Sequence, residues 1–289
     1  MNRRLKAWIE AMRLRTLPVS TAGVISAWAL AYHIVEIRWL PAILCLIFAV
    51  LCQIASNFAN EYYDFKDGLD KPGREGPRRG VTEGDIRPGA MRNATLIVLA
   101  IACLIGLSLI YWGGWWLIAV GVAVVIGALF YSTGPYPLSR NGLGEIAVIL
   151  FFGLVPVNFT FYLITGIWSW RALVLSLAIG LMGANVLIVN NYRDADEDKL
   201  VGKRTLANII GRKGTRTIYL INGIIAGGMG LLAVCSFKCA WIAPAVYFVI
   251  HIILWQKVNL KKGMSPKQLN PFLGMTACLM LLFSVLLYL

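Results

Sequence analysis

Amide and carboxylate side chains stand at helical spacing where an apolar segment of this sequence ends. Asn60 and Asp64 are four residues apart, and Asp67 and Asp70 follow within the stretch NEYYDFKDGLDKPGREGPRRG. Residues four apart lie on one face of a helix, about 6 Å apart along its axis. We therefore expect Asn60 and Asp64 to point the same way from the end of one helix.

A second set of the same residue types occurs 130 residues later, in the stretch NNYRDADEDKLVGKRT. Asn190, Asp194 and Asp198 are spaced by four, so they too are expected on one helix face. Stacked carboxylates repel each other, and near lipid they are costly unless cations neutralise them. Mg²⁺ suits such a site because it takes oxygen ligands from a few carboxylates and from substrate phosphates. The two sets predict a polar cavity that holds divalent ions.

Basic residues follow each acidic set directly. They are Lys71, Arg74, Arg78 and Arg79 after the first set, and Lys199, Lys203 and Arg204 after the second. Guanidinium and ammonium groups bind diphosphate oxygens well. We expect such contacts from Lys71, Arg78, Arg79 and Lys203. The alternative, in which these charges set membrane topology and pair with neighbouring acids, stays open.

The composition indicates what kind of element positions these residues. Of the 289 residues, 58% are hydrophobic and 14% are charged, against about 25% charged in soluble domains. Apolar runs recur along the whole chain, and a run of about 20 residues spans the hydrocarbon core of a bilayer. We predict an all-α polytopic membrane protein. The net charge of +13 is then explained by basic cytoplasmic loops, so no nucleic-acid partner is expected.

Nine transmembrane helices are predicted around a central cavity that opens to the cytoplasmic side. The predicted spans are 17–35, 39–60, 91–111, 115–132, 144–165, 171–192, 214–234, 239–256 and 270–288. Residues 1–15 carry Leu5, Trp8, Ile9 and Met12 on one face and basic residues on the other, which predicts a helix in the membrane interface. The whole chain, 1–289, is expected to form one membrane-embedded domain.

The distribution of charge predicts the orientation in the membrane. With the N-terminus inside, 24 of the 27 Lys and Arg residues fall on the cytoplasmic side, as the positive-inside rule requires. Eleven of the 14 carboxylates fall in two predicted cytoplasmic loops, 61–90 and 193–213. We therefore expect a multi-pass protein of the cell (inner) membrane whose N-terminus and active-site loops are cytoplasmic.

These motifs resemble those of the UbiA-type intramembrane prenyltransferases, which have two Asp-rich motifs after the second and sixth of nine helices. Asp194-x3-Asp198 follows the family pattern, whereas Gly68 replaces an Asp in the commonest first motif. Asp64-x5-Asp70 is similar to a variant of the 1,4-dihydroxy-2-naphthoate prenyltransferases of menaquinone synthesis. Further similar segments are WIEAMRLRTLPVS (8–20), DKPGREGPRRG (70–80) and NGLGEIAVILFFG (141–153).

The resemblance implies Mg²⁺-dependent transfer of a polyprenyl chain from its diphosphate to 1,4-dihydroxy-2-naphthoate, with loss of CO₂, giving demethylmenaquinol. It implies two Mg²⁺ ions and a long apolar groove open to lipid. The implied metal ligands are Asn60, Asp64, Asp70, Asp194 and Asp198, of which the four aspartates are also the implied catalytic residues. Asp67 is extra to the pattern and has no predicted role.

The naphthoate carboxylate needs a cationic partner, and three arginines in family-like segments are candidates: Arg13, Arg15 and Arg140. Each of them is explained equally well as an interfacial anchor. Glu145 begins a predicted span, where it either pairs with Arg140 or orients the acceptor hydroxyl as a base.

Two alternatives to this function remain. The chain could use another acceptor, such as 4-hydroxybenzoate, within the same family. It could instead be a cation-coupled membrane transporter. Transporters hold their coupling carboxylates near the middle of the bilayer, whereas the acids here cluster at the ends of the predicted spans, which favours the enzyme.

Overall fold

The computed structural model describes residues 2–73, 76–258 and 265–289, and this part of the chain is helical. Twelve α-helices follow one another: α1 (Arg3–Met12), α2 (Leu17–Tyr32), α3 (Trp39–Lys66), α4 (Pro88–Ser108), α5 (Ile110–Gly113), α6 (Leu117–Phe130), α7 (Gly144–Val148), α8 (Val155–Thr165), α9 (Trp170–Leu200), α10 (Leu206–Val234), α11 (Ile242–Lys257) and α12 (Asn270–Leu286). A π-helical segment, Ile149–Leu154, joins α7 to α8. The described residues contain no β-strand, which confirms the all-α prediction.

Six helical segments are long and apolar enough to cross a membrane: Trp39–Lys66, Pro88–Gly113, Gly144–Thr165, Trp170–Leu200, Leu206–Val234 and Pro266–Leu286. The other three predicted spans correspond to α2, α6 and α11. These helices have 14 to 16 residues, a length of roughly 21–24 Å at 1.5 Å per residue. The protein is thus a multi-pass membrane protein, and a total of nine crossings stays a prediction.

Helix α9 lies at the centre of the bundle. In its most apolar stretch 72% of the residues are buried, the highest share among the six candidate spans of the described chain. The π-helical segment packs against it backbone to backbone, because a Cβ atom on Gly153 would lie 2.4 Å from the Ser176 carbonyl oxygen. Small residues allow this close approach between helices in lipid, where packing drives association. The central position of α9 brings its polar end beside that of α3.

Helices α3 and α9 extend past the predicted span ends, to Lys66 and Leu200. Residues predicted to open the two cytoplasmic loops are therefore helical, and Asp64, Asp194 and Asp198 project from helices. Helix α3 stops at Lys66 because Gly68 adopts a left-handed conformation, with φ of +67°. Glycine accepts this conformation without the steric cost that a Cβ atom brings.

Helix α1 occupies most of the predicted interfacial segment 1–15, and its location at the membrane surface stays a prediction. Ala7 and Ala11 are buried, and the Trp8 ring meets the Phe58 ring edge-on, with 5.5 Å between centroids. The helix ends at Met12, and Arg13 after it is the one residue other than glycine with positive φ (+53°) in the described chain. Arg13 thereby turns the chain from α1 towards α2, next to the end of α3.

Candidate active site

A cavity of about 640 Å³ lies between α3, α6, α9 and their neighbours. Its wall is polar at one end, where both acidic sets lie, and apolar at the other. The oxygen-bearing residues of the two sets that line it are Asn60, Asp64, Asn190, Asp194 and Asp198. The two sets, far apart in the sequence, thus share one cavity.

The first set sits on the last turns of α3 as its spacing predicted. Asn60 and Asp64 are both buried, and the Asn60 Nδ2 atom donates to an Asp64 carboxylate oxygen at 3.3 Å. The same Nδ2 atom lies 3.1 Å from the Ser132 hydroxyl. Asn60 is held from two sides, which orients its side chain before any ligand binds.

Asp70 does not line this cavity in the described structure. After the turn at Gly68, the backbone N–H groups of Leu69 and Asp70 donate to the Asp64 carbonyl oxygen, so the chain folds back on the helix end. The Asp70 carboxylate then forms a buried ion pair with Arg79, at 3.1 Å. Arg79 also donates to Asn60 Oδ1 at 3.1 Å, and so links Asp70 to the cavity.

The second set is held by Arg193, which the sequence analysis did not single out. Its guanidinium donates twice to Asp194, at 2.6 and 2.7 Å, and to Asn190 at 2.9 Å. It also donates to Asn270 Oδ1 on α12 at 2.8 Å. A buried arginine that makes a bidentate pair is both strongly bound and geometrically specific. The sequence feature that could have pointed to Arg193 was its position inside the motif NNYRDADED.

Two cations connect the acidic side chains. The Lys203 Nζ atom lies 3.1 Å from Asp64 and 3.9 Å from Asp198. Arg140 donates to Asp64 at 3.1 Å and contacts Asp67 at 2.5 Å. Asp67, which had no predicted role, is thus the outer partner of the arginine that braces Asp64.

The four residues predicted to bind diphosphate differ in their positions. Arg78, Arg79 and Lys203 line the cavity, whereas Lys71 is exposed and does not. Arg78 is also paired with Asp85, and more loosely with Glu10 at 3.7 Å. The hydrogen bond that Arg78 donates to Asp85 raises the pKa of the Arg78 guanidinium above its usual range. The guanidinium therefore stays charged at every physiological pH.

Of the predicted acceptor-binding residues, Arg13, Arg15 and Glu145 line the cavity. Arg13 donates to Asn60 Oδ1. Glu145 accepts from Asn191 Nδ2 at 2.8 Å and forms no ion pair with Arg140, which binds the aspartates instead. Arg140 is absent from the lining. The ion pair drawn between Glu145 and Arg140 is therefore not formed, and the role of Glu145 at an acceptor hydroxyl stays a prediction.

The donor chemistry of the polar end fits a hard divalent cation. The two acidic sets offer carboxylate and amide oxygens, which suit Mg²⁺ and Mn²⁺ rather than softer metals. No group of three His, Cys, Asp or Glu residues within the described part of the chain is close enough to hold an ion by itself. Such a site therefore needs further oxygen ligands, which a substrate phosphate and water supply for Mg²⁺.

The family model described as the UbiA prenyltransferase family matches residues 18–287. The chain belongs to the UbiA prenyltransferase family. The match runs from the second residue of α2 past the end of α12, so both acidic sets lie within it.

Two curated proteins, both named 1,4-dihydroxy-2-naphthoate octaprenyltransferase, are similar over nearly the full chain. That of Haemophilus influenzae is 30% identical and covers 99% of this chain and 96% of its own. That of Escherichia coli is 32% identical and covers 94% and 91%. A solved UbiA homologue from Archaeoglobus fulgidus, bound to DMAPP and Mg²⁺, has a TM-score of 0.66 at 14% identity and covers 97% and 98%. That likeness shows the UbiA fold.

Proposed function

We propose that this protein transfers a polyprenyl chain from its diphosphate to 1,4-dihydroxy-2-naphthoate, releasing CO₂ and diphosphate and giving demethylmenaquinol for menaquinone synthesis. The observation that carries the proposal is the single cavity, polar at the end where Asn60, Asp64, Asp194 and Asp198 meet and apolar beyond. A diphosphate and a hydrocarbon tail need these two environments. The names of the relatives in H. influenzae and E. coli support the naphthoate acceptor.

Two Mg²⁺ ions are assigned to the polar end, one at Asn60 and Asp64 and one at Asp194 and Asp198. The Mg²⁺ bound in the A. fulgidus homologue supports this cofactor. When bound, Mg²⁺ neutralises a diphosphate leaving group and so favours rupture of the allylic C–O bond. Asp70 is proposed as a further ligand on the side of Asn60 and Asp64, and its carboxylate also holds Arg79, since it pairs with that guanidinium.

Arg78, Arg79 and Lys203 are assigned to the diphosphate because all three line the polar end. Lys203 contacts Asp64 and Asp198 at once, so its ammonium lies where negative charge develops on the diphosphate as the allylic C–O bond breaks. Fixed cations of this kind stabilise charge that develops in the transition state. Lys71, which is exposed, would have to move to take part.

The proposed reaction breaks two bonds and forms one, and its electron pairs balance. The allylic C–O bond breaks and diphosphate keeps the electron pair. The electron-rich ring forms a C–C bond with the allylic carbon, and the bond from the ring to its carboxylate breaks, returning a pair to the ring as CO₂ leaves. Arg13 is assigned to the acceptor carboxylate and Glu145 to a ring hydroxyl, with Arg15 at the entrance and Arg140 bracing Asp64.

The chain is placed in the cell (inner) membrane with its N-terminus and the polar end of the cavity on the cytoplasmic side. The excess of Lys and Arg in the segments assigned to that side supports this orientation, following the positive-inside rule. The proposed single domain crosses the membrane nine times. Helices α2, α6 and α11 are short, so they cross without tilt where the bilayer is locally thinned.

The proposal is tested with the purified full chain in lipid nanodiscs. A polyprenyl diphosphate is offered with either 1,4-dihydroxy-2-naphthoate or 4-hydroxybenzoate, with Mg²⁺ or with EDTA, and products are followed by mass spectrometry. We expect prenylated naphthoquinol and CO₂ only with the naphthoate and Mg²⁺. Turnover of 4-hydroxybenzoate alone would move the assignment to another acceptor. No transfer, together with cation uptake into proteoliposomes, would indicate a transporter.

A further inference from the structure

The apolar end of the cavity is a long channel, which we call the prenyl arm. It is bounded by residues 45–52 of α3, 117–128 of α6 and 151–163 of the π segment and α8. From Asn60 at the polar end to Cys45 at the far end, α3 contributes 15 residues, a distance of about 22 Å along the helix. A hydrocarbon tail in the arm therefore lies along several turns of α3.

One phenylalanine ring lines the wall of the arm near the polar end, packed against a glycine. Phe151 projects from the π-helical segment, and its ring rests on the backbone of Gly127 in α6. A Cβ atom on Gly127 would lie 2.2 Å from Phe151 Cζ, far inside the contact distance of about 3.5–4.0 Å between carbon atoms. Gly127 is five residues before Ser132, which meets Asn60, so this contact lies roughly 8 Å below the polar end.

A second ring is seated in the same way deeper in the arm. Phe48 of α3 lies against Gly106 of α4, where an added Cβ atom would come within 3.1 Å of Phe48 Cε2. Phe48 is 12 residues from Asn60, or about 18 Å along the helix. Both rings are half-buried, and both glycines line the arm with them.

We propose that these two Phe–Gly contacts determine which prenyl chain lengths the enzyme accepts, Phe151–Gly127 acting on the part of the tail nearest the diphosphate and Phe48–Gly106 on a more distal part. The inference rests on the proposed function and names a determinant of its specificity. Each ring packs against its glycine, in the space that a side chain at that position would fill. The ring therefore stays out of the path of the tail. A side chain placed on either glycine pushes the far end of the ring, which is free to rotate, into the path of the tail.

The consequence is a dependence on tail length that differs between the two positions. A tail that ends above Phe48 does not meet the deeper contact, so changing Gly106 leaves its binding unaltered. Every tail that is long enough to reach the first contact meets Phe151. A hydrophobic site discriminates by about tenfold or more for a methylene-sized misfit, so the two substitutions have separable effects.

The experiment measures binding of geranyl, farnesyl, geranylgeranyl and longer prenyl thiolodiphosphates, which bind without transfer, to the full chain in Mg²⁺-containing nanodiscs. Calorimetry gives Kd for the wild type, Gly127→Ala and Gly106→Val. We expect Gly127→Ala to weaken binding from a shorter tail onwards than Gly106→Val, each by about tenfold once the tail reaches the contact. Geranyl binding should be unchanged in Gly106→Val.

Gly228→Ala is the matched control. Gly228 lies on α10 outside the arm, and an added Cβ atom there meets no atom within 4 Å, so no ring moves and Kd should match the wild type at all lengths. The double variant Gly127→Ala/Phe151→Ala separates ring displacement from misfolding. Without the ring there is nothing to displace, and long-tail binding should recover.

Equal weakening at all tail lengths, a reversed order of the two positions, or failure of the double variant to recover would each overturn the inference. These outcomes are independent of the transfer assay. If the length pattern is found and no naphthoate is prenylated, the proposed acceptor is wrong and the assignment of the arm stands.

Discussion

The Nζ atom of Lys203 donates to an Asp64 carboxylate oxygen at 3.1 Å, although 139 positions separate the two residues in the chain. The same atom lies 3.9 Å from Asp198. One ammonium group thus joins the helix that carries the first acidic set to the segment that follows the second. It supplies positive charge at the place where the proposed function puts divalent ions, so metal and lysine compete for the same carboxylates.

Replacing Lys203 with Met should have opposite effects on metal and substrate. Without the ammonium, Mn²⁺ affinity in the absence of substrate should rise by about tenfold, a coupling of roughly 1.4 kcal/mol. The value of kcat/KM for the prenyl diphosphate should fall, because a cation that faces the leaving group is lost. Electron paramagnetic resonance of Mn²⁺ and steady-state kinetics measure the two quantities. Lys199→Met, at an exposed position, is the control, and weaker Mn²⁺ binding in Lys203→Met would contradict the competition.

Asp64→Asn and Asp194→Asn should each lower kcat/KM by more than about 100-fold, beyond the roughly 10–100-fold that loss of an outer partner of a metal ligand costs. Both side chains are buried and line the polar end. Asp67→Asn is the comparison, because its carboxylate is 41% exposed and reaches Asp64 only through Arg140. We expect it to stay within about fivefold of the wild type, as for most exposed ion pairs. A similar loss in all three variants would mean that net charge, rather than metal ligation, is measured.

Gly68→Ala should destabilise the protein by about 1 kcal/mol, because a left-handed conformation brings its Cβ atom too close to the backbone. The added side chain itself meets no atom within 4 Å, so the cost is one of backbone conformation alone. Gly68→Asn should be milder, since Asn tolerates this region. Thermal unfolding in detergent measures both. Equal destabilisation by Ala and Asn would refute the conformational explanation.

The contacts of Asp85 with Arg78 and with Arg3 of α1 should make the docking of the segment 76–87 on α1 dependent on pH. Burial acts to raise the pKa of Asp85, but the hydrogen bond from Arg78 and the charges of Arg3 and Arg78 outweigh it and hold the pKa below its usual value of 3.8. Ionised Asp85 therefore stabilises the folded protein above pH 3.8, and this contribution is lost as the pH falls further, through the folded-state pKa.

The measurement is the difference in melting temperature between the wild type and Asp85→Asn, taken from pH 7 down to pH 3. We expect the wild type to be the more stable at pH 7 and the difference to shrink below pH 3.8. Glu83→Gln, a change of charge in the same segment without an ion pair to Arg78 among the described contacts, is the control. A difference that stays constant with pH would show that Asp85 acts by shape rather than by charge.

The sequence predicted the elements of the site better than their connections. Asn60 and Asp64 do lie on one face of a helix, because spacing by four depends only on local helix geometry and α3 continues to Lys66. Asp70 was predicted to join them as a ligand, and that role stays a prediction. Its position was decided by the reversal of the chain at Gly68 and by the guanidinium of Arg79, which lies between Asp70 and Asn60.

The class of protein was determined by the sequence itself. Its apolar runs, its scarcity of charge and its two acidic sets at helical spacing are local properties, and they predict membrane helices, a UbiA-like site and its oxygen ligands. Only the tertiary structure decided which cation meets which carboxylate. Arg140 contacts Asp64 and Asp67, which are more than 70 residues away in the sequence. The ring of Phe151 packs against Gly127 on another helix. Such contacts depend on how helices pack against one another, and side-chain spacing along a single helix carries no information about that packing.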